Sequence, residues 1–282
     1  MATKTILVAV SGGTASDGAA EIGCRLAQRL GAHVEGFHVK VDPAQILTLA
    51  SDGFNTPMAG EWIDKIVADA DEFAAKTKTS FAAAAQRHGL KMAAGPGAAS
   101  WREESGYGPA LVANRARFFD AVILGRSERV VQHAYSDTIE ETLKHSGRPV
   151  LLAPAKPPAV IGETIAVGWN GSPEAVHAIA ATLPLLEKAK SVTVITIAEA
   201  SGEAPTALIE YFAAQGIAAK HRNSEPVKGV GAGEQLLAEA RDAGADLLVM
   251  GAYGHRPWRE TLFGGATREV VGHSLLPVLL AH

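Results

Sequence analysis

Four glycines in the second half of the chain are spaced in a way that suits phosphate binding. Gly251, Gly254, Gly264 and Gly265 form the pattern G-x2-G-x9-G-G. Because glycine has no Cβ and readily adopts positive φ, its backbone N–H can approach a phosphate oxygen closely. One glycine pair alone would be as consistent with a simple turn as with a ligand site. Two separated groups favour a site that holds the phosphates of a nucleotide.

The residues around the last glycine pair strengthen this interpretation. Residues 266–271 are expected to form a helix, and the free N–H groups and positive dipole end of a helix N-terminus attract anions. Ala266 opens this stretch, and Thr267 could add a hydroxyl donor. His255 lies inside the glycine motif, where it could donate to a phosphate or face solvent.

Other reactive side chains follow no catalytic or metal-binding pattern. The sequence has no Walker A motif, no G-x-S-x-G nucleophile elbow and no grouping of His, Cys and carboxylates at the spacing of metal ligands. The single cysteine, Cys24, excludes an intrachain disulfide, and its position in a helical stretch predicts a buried structural thiol. We therefore expect no catalytic residues and no metal site of the protein's own, and at most slow hydrolysis of a bound nucleotide.

A loop in the first half offers a different interpretation. Residues 11–17 (SGGTASD) resemble the SGG-x-D-S loop of the PP-loop ATP pyrophosphatases, which adenylate a substrate with ATP, but Ala15 stands where that pattern has Asp. A strand-to-helix turn capped by Ser16 or Asp17 is the simpler interpretation. An ATP-consuming enzyme that uses this loop stays open as an alternative function.

The elements that must position these residues occur twice along the chain. Each half contains an opening apolar strand, an Ala-rich helix, a second apolar strand, an Asp followed by an apolar run and a glycine, and a closing apolar strand. The matched segments are residues 5–10 and 164–169, 34–39 and 192–197, 120–125 and 246–251, and 145–153 and 273–281. Such internal similarity predicts two copies of one domain.

The apolar runs predict a parallel sheet in each copy. They show little alternation of polar and apolar residues, which is typical of strands buried on both faces. Strands that alternate with helices predict an α/β fold of two tandem doubly wound, Rossmann-like domains, each a five-stranded parallel sheet flanked by helices. The Pro-rich linker at 153–159 places the domains at 1–155 and 160–282. The first copy carries an insertion, with a loop at 42–60 and a long helix at 61–88.

Composition excludes several classes of partner. The 282 residues are 47% hydrophobic and 20% charged, with a formal net charge of −4. This balance gives no electrostatic footprint for a nucleic acid or an anionic membrane. The first ten residues lack the features of a signal peptide, and no apolar run approaches the ~20 residues of a transmembrane helix. We therefore expect a cytoplasmic protein.

The glycine motif and the repeat together resemble the universal stress protein family in a tandem, two-domain form. That family has G-x2-G-x9-G followed by Ser or Thr at this point of the fold, and many members bind ATP with it. The resemblance implies ATP as the ligand, with or without Mg²⁺. It also implies that Gly254, Gly264 and Gly265 approach the phosphates. Here Gly265 replaces the usual Ser or Thr and removes one hydroxyl.

The resemblance also assigns residues to the nucleoside. Gly251 would line the ribose, with the main chain of Met250 beside it. Asn170 stands where the family usually has an Asp that contacts the nucleoside, so a hydrogen-bond acceptor is kept and its charge is lost. Ile197 ends the second strand, where the backbone would face adenine.

The first half departs further from the family pattern. Glu128 takes the place of Gly254, and Ser136 and Asp137 fall opposite Gly264 and Gly265. Carboxylates near a triphosphate would repel it. We therefore predict that the first copy has lost its nucleotide site and that ATP binds in the second copy.

These features predict an ATP-binding stress-response regulator, with a scaffold that binds no nucleotide as a further alternative. The closing strands are strongly apolar and should each lie at a sheet edge, which needs cover. Single-domain members of the resembled family often dimerise through this strand. We therefore expect an internal pseudo-dimer, in which the two closing strands lie side by side within one chain. A homodimer of the whole chain stays open.

Overall fold

The computed structural model describes residues 3–40, 59–126, 132–197, 205–252 and 265–282. Within these ranges the chain forms eleven strands and eight helices. Side chains are described for these residues except 59–63 and 132–136. No described helix has the length and apolar character that crossing a membrane requires.

The first half alternates strands with helices, as its sequence predicts. Its elements in chain order are β1 (Thr5–Ala9), α1 (Gly13–Leu30), β2 (His33–Lys40), α2 (Ala59–Arg87), β3 (Lys91–Met92), β4 (Ala98–Ser105), α3 (Gly108–Ala116), β5 (Ala121–Gly125), α4 (Gln132–His145) and β6 (Val150–Ala153). The long helix α2 confirms the helical part of the insertion, and the loop predicted at 42–60 lies largely outside the described residues.

The second half repeats this order with shorter connections. Its elements are β7 (Thr164–Gly168), α5 (Pro173–Leu186), β8 (Ser191–Ile197), α6 (Thr206–Ala214), β9 (Ala219–Ser224), α7 (Ala232–Asp242), β10 (Leu247–Gly251), α8 (Gly265–His273) and β11 (Val278–Ala281). The five strands predicted for each copy are confirmed. The first half adds the two-residue strand β3 at its edge.

All strands join one sheet in the order β3-β4-β2-β1-β5-β6-β11-β10-β7-β8-β9. Pairing within each half is parallel, and the closing strands β6 and β11 pair antiparallel, with Leu279 opposite Leu151. The expectation that the two closing strands lie side by side is therefore confirmed. Both strands are fully buried, which explains why the sequence makes them so apolar.

Helices cover both faces of the sheet, so the strands are apolar on each side. One core packs against α1, α2, α5 and α6. The other packs against α3, α4, α7 and α8. This double cover is the reason for the unbroken apolar runs and confirms the doubly wound fold.

The Asp before the fourth strand has the same structural role in both halves. Asp120 accepts hydrogen bonds from the backbone N–H groups of Lys4 and Thr5 at 2.8 and 3.0 Å. Asp246 accepts hydrogen bonds from the N–H groups of residues 162–164. Each carboxylate thus satisfies the N–H groups where the first strand of its half begins. The repeated Asp in the sequence belongs to the fold rather than to the cleft.

The start of α1 differs from the expectation. Gly12 is its N-cap residue and no side chain caps the helix, so the predicted capping by Ser16 or Asp17 is wrong. Asp17 instead accepts a hydrogen bond from Ser80 of α2 at 2.5 Å. Ser16 is buried inside the first turn of the helix, which shows that this helix begins earlier than the sequence suggests.

Candidate functional site

A cleft of about 620 Å³ lies in the second half, where strands β7, β8 and β10 end. Open α/β sheets bind ligands at this edge, beyond the carboxyl ends of the strands. The cleft is lined by Gly168, Trp169, Asn170, Gly171, Ile195, Thr196, Ile197, Pro205, Ala207, Leu208, Ala232, Leu236, Met250, Gly251 and Ala266.

The structure brings most of the described candidate residues together at this cleft. Asn170, Ile197, Met250, Gly251 and Ala266 all line it, although they come from four separate parts of the chain. Their common position follows from the parallel sheet, because the strands before them end at one edge. That they contact a nucleotide stays a prediction.

The remaining candidates divide into two groups. Gly254, His255 and Gly264 lie outside the described residues. Gly265 is exposed at the start of α8, next to the cleft residue Ala266. Thr267 does not line the cleft. It is only 4% exposed, which places its side chain against the core side of α8.

The first described turn of helix α8 lies beside the cleft, because Ala266 lines it. A Cβ on Gly265 would meet no atom of the described residues within 4 Å. The first N–H groups of a helix have no partner within the helix and carry its positive dipole end. An anion can therefore approach the backbone of Gly265 closely.

Contacts from both halves hold α8 in place. Glu269 of α8 accepts hydrogen bonds from the N–H groups of Gly233 and Glu234 at 2.9 and 3.3 Å. Arg126, which follows β5 in the first half, donates to the carbonyl oxygen of Gly272 at 2.9 Å. A cation at a helix C-terminus stabilises the helix dipole. The first half therefore contributes directly to the element that borders the cleft.

Hydrogen bonds fix the turn between β7 and α5. The Asn170 side-chain oxygen accepts from the Ser172 N–H at 3.1 Å, and the Ser172 hydroxyl caps α5 by accepting from the Ala175 N–H at 3.2 Å. The side-chain oxygen of Asn170 therefore has a structural role in this turn as well as a position at the cleft.

Packing within the protein requires a glycine at position 251, independently of any ligand. A Cβ at this position would stand 2.6 Å from the backbone nitrogen of Ala175 and 2.9 Å from Cβ of Glu174. The end of β10 therefore lies directly against the first turn of α5. This close approach is a structural reason for the glycine that opens the motif.

Glu174 occupies the N-terminus of α5 with a negative charge. A hydrogen bond from its own backbone N–H holds the pKa of the Glu174 carboxyl below its ordinary value, and the Ser172 hydroxyl adds to this against the opposing effect of burial. The carboxylate is therefore ionised at neutral pH. Its charge therefore opposes the approach of a phosphate to the start of α5.

Sequence reasoning missed the apolar walls of the cleft. Trp169 and Thr196 lie next to the candidates Asn170 and Ile197, while Leu208 and Leu236 come from helices that flank the strands. The signal for the first two was their position at strand ends. The helical residues carried no such signal, because only the fold brings them to this edge.

Helix α2 contacts the corresponding edge of the first half. The Phe73 ring of α2 lies over Gly12, so that a Cβ on Gly12 would stand 2.0 Å from Phe73 Cζ. Beside it His38 donates to the Val10 carbonyl oxygen at 2.6 Å and stacks on Trp101. Phe73 therefore packs against Gly12 of the SGG loop, while Ser11 and Gly13 are exposed.

The structure describes only some of the polar residues that replace the motif glycines in the first half. Asp137, which falls opposite Gly265, is exposed on α4, and Glu128 lies outside the described residues.

Within the described part of the chain, no cluster of three or more His, Cys, Asp or Glu side chains could hold a metal ion.

The fold and the cleft define a doubly wound α/β protein whose ligand site lies at the carboxyl ends of its strands. Residues 162–282 match the model of the Universal stress protein family. The second half of the chain therefore belongs to that family. No curated protein sequence matches the chain.

Solved structures extend this similarity of fold to the whole chain. A universal stress protein from Archaeoglobus fulgidus DSM 4304 superposes with a TM-score of 0.72 at 14% identity, over 100% of this chain and 99% of that chain. A protein of Pseudomonas aeruginosa UCBPP-PA14, assigned to the same family, gives a TM-score of 0.58 at 14% identity over 99% and 93% of the two chains. The tandem arrangement thus recurs in both.

Proposed function

We propose that the protein is a nucleotide-binding regulator of a stress response, with one ATP bound in the cleft of the second half. The observation that carries this proposal is the juxtaposition of the cleft with the first described turn of α8. Ala266 lines the cleft, and the neighbouring Gly265 is exposed. The family to which residues 162–282 belong supplies the stress-response context.

The cleft suits a ligand with an apolar end and an anionic end. Trp169, Leu208 and Leu236 provide apolar walls for a planar ring, and Asn170 and Gly251 lie between those walls and α8. A volume of about 620 Å³ lies within the range of small-molecule and cofactor sites. Adenine, ribose and phosphates would follow one another along this surface.

We propose a single site for each chain. In the first half Phe73 of α2 packs against Gly12, and the equivalent of Gly265 is the carboxylate Asp137. Both features oppose a triphosphate there. A tandem chain of this kind would use its second half for the nucleotide and its first half to support α8 through Arg126.

The cleft favours binding over turnover. None of its described lining residues carries a side chain that can act as a general acid or base. Mg²⁺, if it accompanies ATP, would neutralise phosphate charge. The phosphates would supply its ligands, because the described residues include no metal-binding cluster.

The proposal is tested by titrating the whole chain with ATP in a calorimeter and by mass spectrometry of nucleotide that co-purifies. We expect saturable binding of one ATP per chain. Two ATP molecules per chain would show that the first half binds as well. No adenine nucleotide in either experiment would refute the proposed function and favour the scaffold alternative.

A further inference from the structure

A second cavity, of about 340 Å³, lies between α7 and the turn that precedes β11. We refer to it as the α7 groove. Its volume falls within the range of small-molecule sites, and its lining residues are distinct from those of the cleft. The groove combines three polar side chains that can carry charge with three leucines: Glu234, Arg241, His273, Leu237, Leu275 and Leu276.

The apolar part of the groove has a fixed shape. Leu237 is 7% exposed and belongs to the core against which α7 packs. The buried hydroxyl of Ser274 fixes the turn before β11, because it donates to the Leu276 carbonyl oxygen at 2.9 Å and accepts from the Leu276 N–H at 3.1 Å. Leu275 stands at this turn with 70% of its surface exposed. The groove therefore offers a preformed apolar wall to a ligand.

The charged side chains of the α7 groove have no ionic partner. Within the described part of the chain, neither the Glu234 carboxylate nor the Arg241 guanidinium forms an ion pair. The Arg241 Nε atom donates to the Leu237 carbonyl oxygen at 3.4 Å, so this side chain lies along α7. His273 Nδ1 donates to the Glu269 carbonyl oxygen at 3.1 Å, which orients its ring. Two opposite charges thus line one cavity without neutralising each other.

The first half shows how the same arginine is used when a carboxylate is present. Arg115 is the counterpart of Arg241, since each lies five residues before the Asp that holds the first strand of its half. Arg115 binds Glu35 through two hydrogen bonds of 2.8 Å. The counterpart of Glu35 is Thr193, because each pairs with the third residue of the first strand of its half. The second half thus keeps the arginine but lacks this carboxylate, so Arg241 can take the carboxylate of a ligand.

The spacing of the two charges sets the length of a ligand that neutralises both. Glu234 and Arg241 are seven residues apart on α7, which corresponds to about 10 Å along the helix axis. An extended tripeptide also spans about 10 Å. Its ammonium and carboxylate ends carry the charges that complement Glu234 and Arg241, and apolar side chains between them match the leucines of the groove.

We propose that the α7 groove binds a short peptide with apolar side chains. Arg241 pairs with the terminal carboxylate of the peptide, and Glu234 pairs with its ammonium group. The three leucines of the groove contact its side chains. An arginine binds a carboxylate through two parallel hydrogen bonds, which makes this end of the site specific. Because no described residue lines both cavities, this second site does not depend on the proposed nucleotide function.

Calorimetric titration of the whole chain with the tripeptide Leu-Gly-Leu tests the proposal. We expect saturable binding of one peptide per chain. The C-terminal amide and the N-acetylated peptide each lack one charge and should bind at least tenfold more weakly. Free leucine cannot span both charges and should show a loss of the same size. Absence of saturable binding of Leu-Gly-Leu, or equal affinity for its amide or for leucine, would overturn the proposal.

Variants of the groove assign each charge to one end of the peptide. Arg241→Met should bind Leu-Gly-Leu at least tenfold more weakly and lose nothing further with the amide, because the pair is already broken. Glu234→Gln should behave in the same way toward the N-acetylated peptide. Asp242→Asn is the matched control, an exposed charge on the same helix that does not line the groove, and should stay within twofold of wild type. Wild-type affinity in folded Arg241→Met, or an equal loss in Asp242→Asn, would overturn the site.

Discussion

The phenyl ring of Phe73 lies directly over Gly12, where a Cβ would stand 2.0 Å from Phe73 Cζ. Helix α2, which carries Phe73, has 29 residues, whereas its counterpart α6 has nine. Phe73 thus occupies part of the edge of the first half that corresponds to the cleft. The two halves therefore differ in this helix as well as in the glycine motif.

Replacing Gly12 by alanine should destabilise the protein through two effects. The residue has φ of +83°, and its Cβ would collide with Phe73. Backbone strain and overpacking each cost about 1–3 kcal/mol. Gly13→Ala is the matched control, since Gly13 has φ of +77° but open space around it. Urea denaturation should show a larger loss for Gly12→Ala, and equal losses would contradict the contact with Phe73.

Asp120→Asn should weaken the fold in a pH-dependent way. Burial raises the pKa of Asp120, but hydrogen bonds from Lys4 and Thr5 outweigh it, so the folded-state pKa lies below the ordinary value. The stabilisation is then present above the unfolded-state pKa of about 3.9 and is lost as pH falls through the folded-state pKa.

Denaturation of wild type and Asp120→Asn across this pH range measures the effect. We expect a difference of about 1.5–3 kcal/mol at pH 7, the usual size for hydrogen bonds to a charged group, and a smaller difference below about pH 3.5. Asp64→Asn, at an exposed position of α2, should show no such trend. A difference that does not change with pH would contradict the ionised role of Asp120.

Cys24 should be inert in the folded protein. Burial raises the pKa of its thiol to about 12, and the side chain is inaccessible. The thiolate is the reactive form, so a disulfide reagent at pH 8 should not modify the native chain. Unfolding in guanidinium should release one reactive thiol. Rapid labelling without denaturant would contradict the burial of Cys24.

The elements of the fold could be predicted because they depend on local pattern. The unbroken apolar runs predicted the buried parallel strands. The apolar character of the closing strands β6 and β11 predicted that they lie side by side, and they pair antiparallel. The start of α1 at Gly13 could not be predicted in the same way. The first turn of this helix is held by Phe73, which lies sixty residues away, rather than by a capping side chain.

The candidate site could be predicted only in part for the same reason. Asn170, Ile197 and Gly251 end neighbouring strands, so a sequence pattern suffices to place them at one edge. Thr267 faces the core because of its angular position on α8, which the glycine motif does not determine. Trp169 and Thr196 became recognisable only when the packing of α6 showed what surrounds them.

The central claim is that a nucleotide binds in the second half. The ATP affinity of Gly265→Val, measured by calorimetry on the whole chain, tests it most directly. A Cβ at Gly265 meets no atom of the described residues within 4 Å, so a side chain there should leave the described packing intact. Asp137→Val at the corresponding position of the first half and Gly272→Val at the other end of α8 are the controls. We predict that Gly265→Val weakens ATP binding at least tenfold, or ~1.4 kcal/mol, and that both controls bind as wild type does. Unchanged affinity in folded Gly265→Val, or a loss confined to Asp137→Val, would contradict a nucleotide site in the second half.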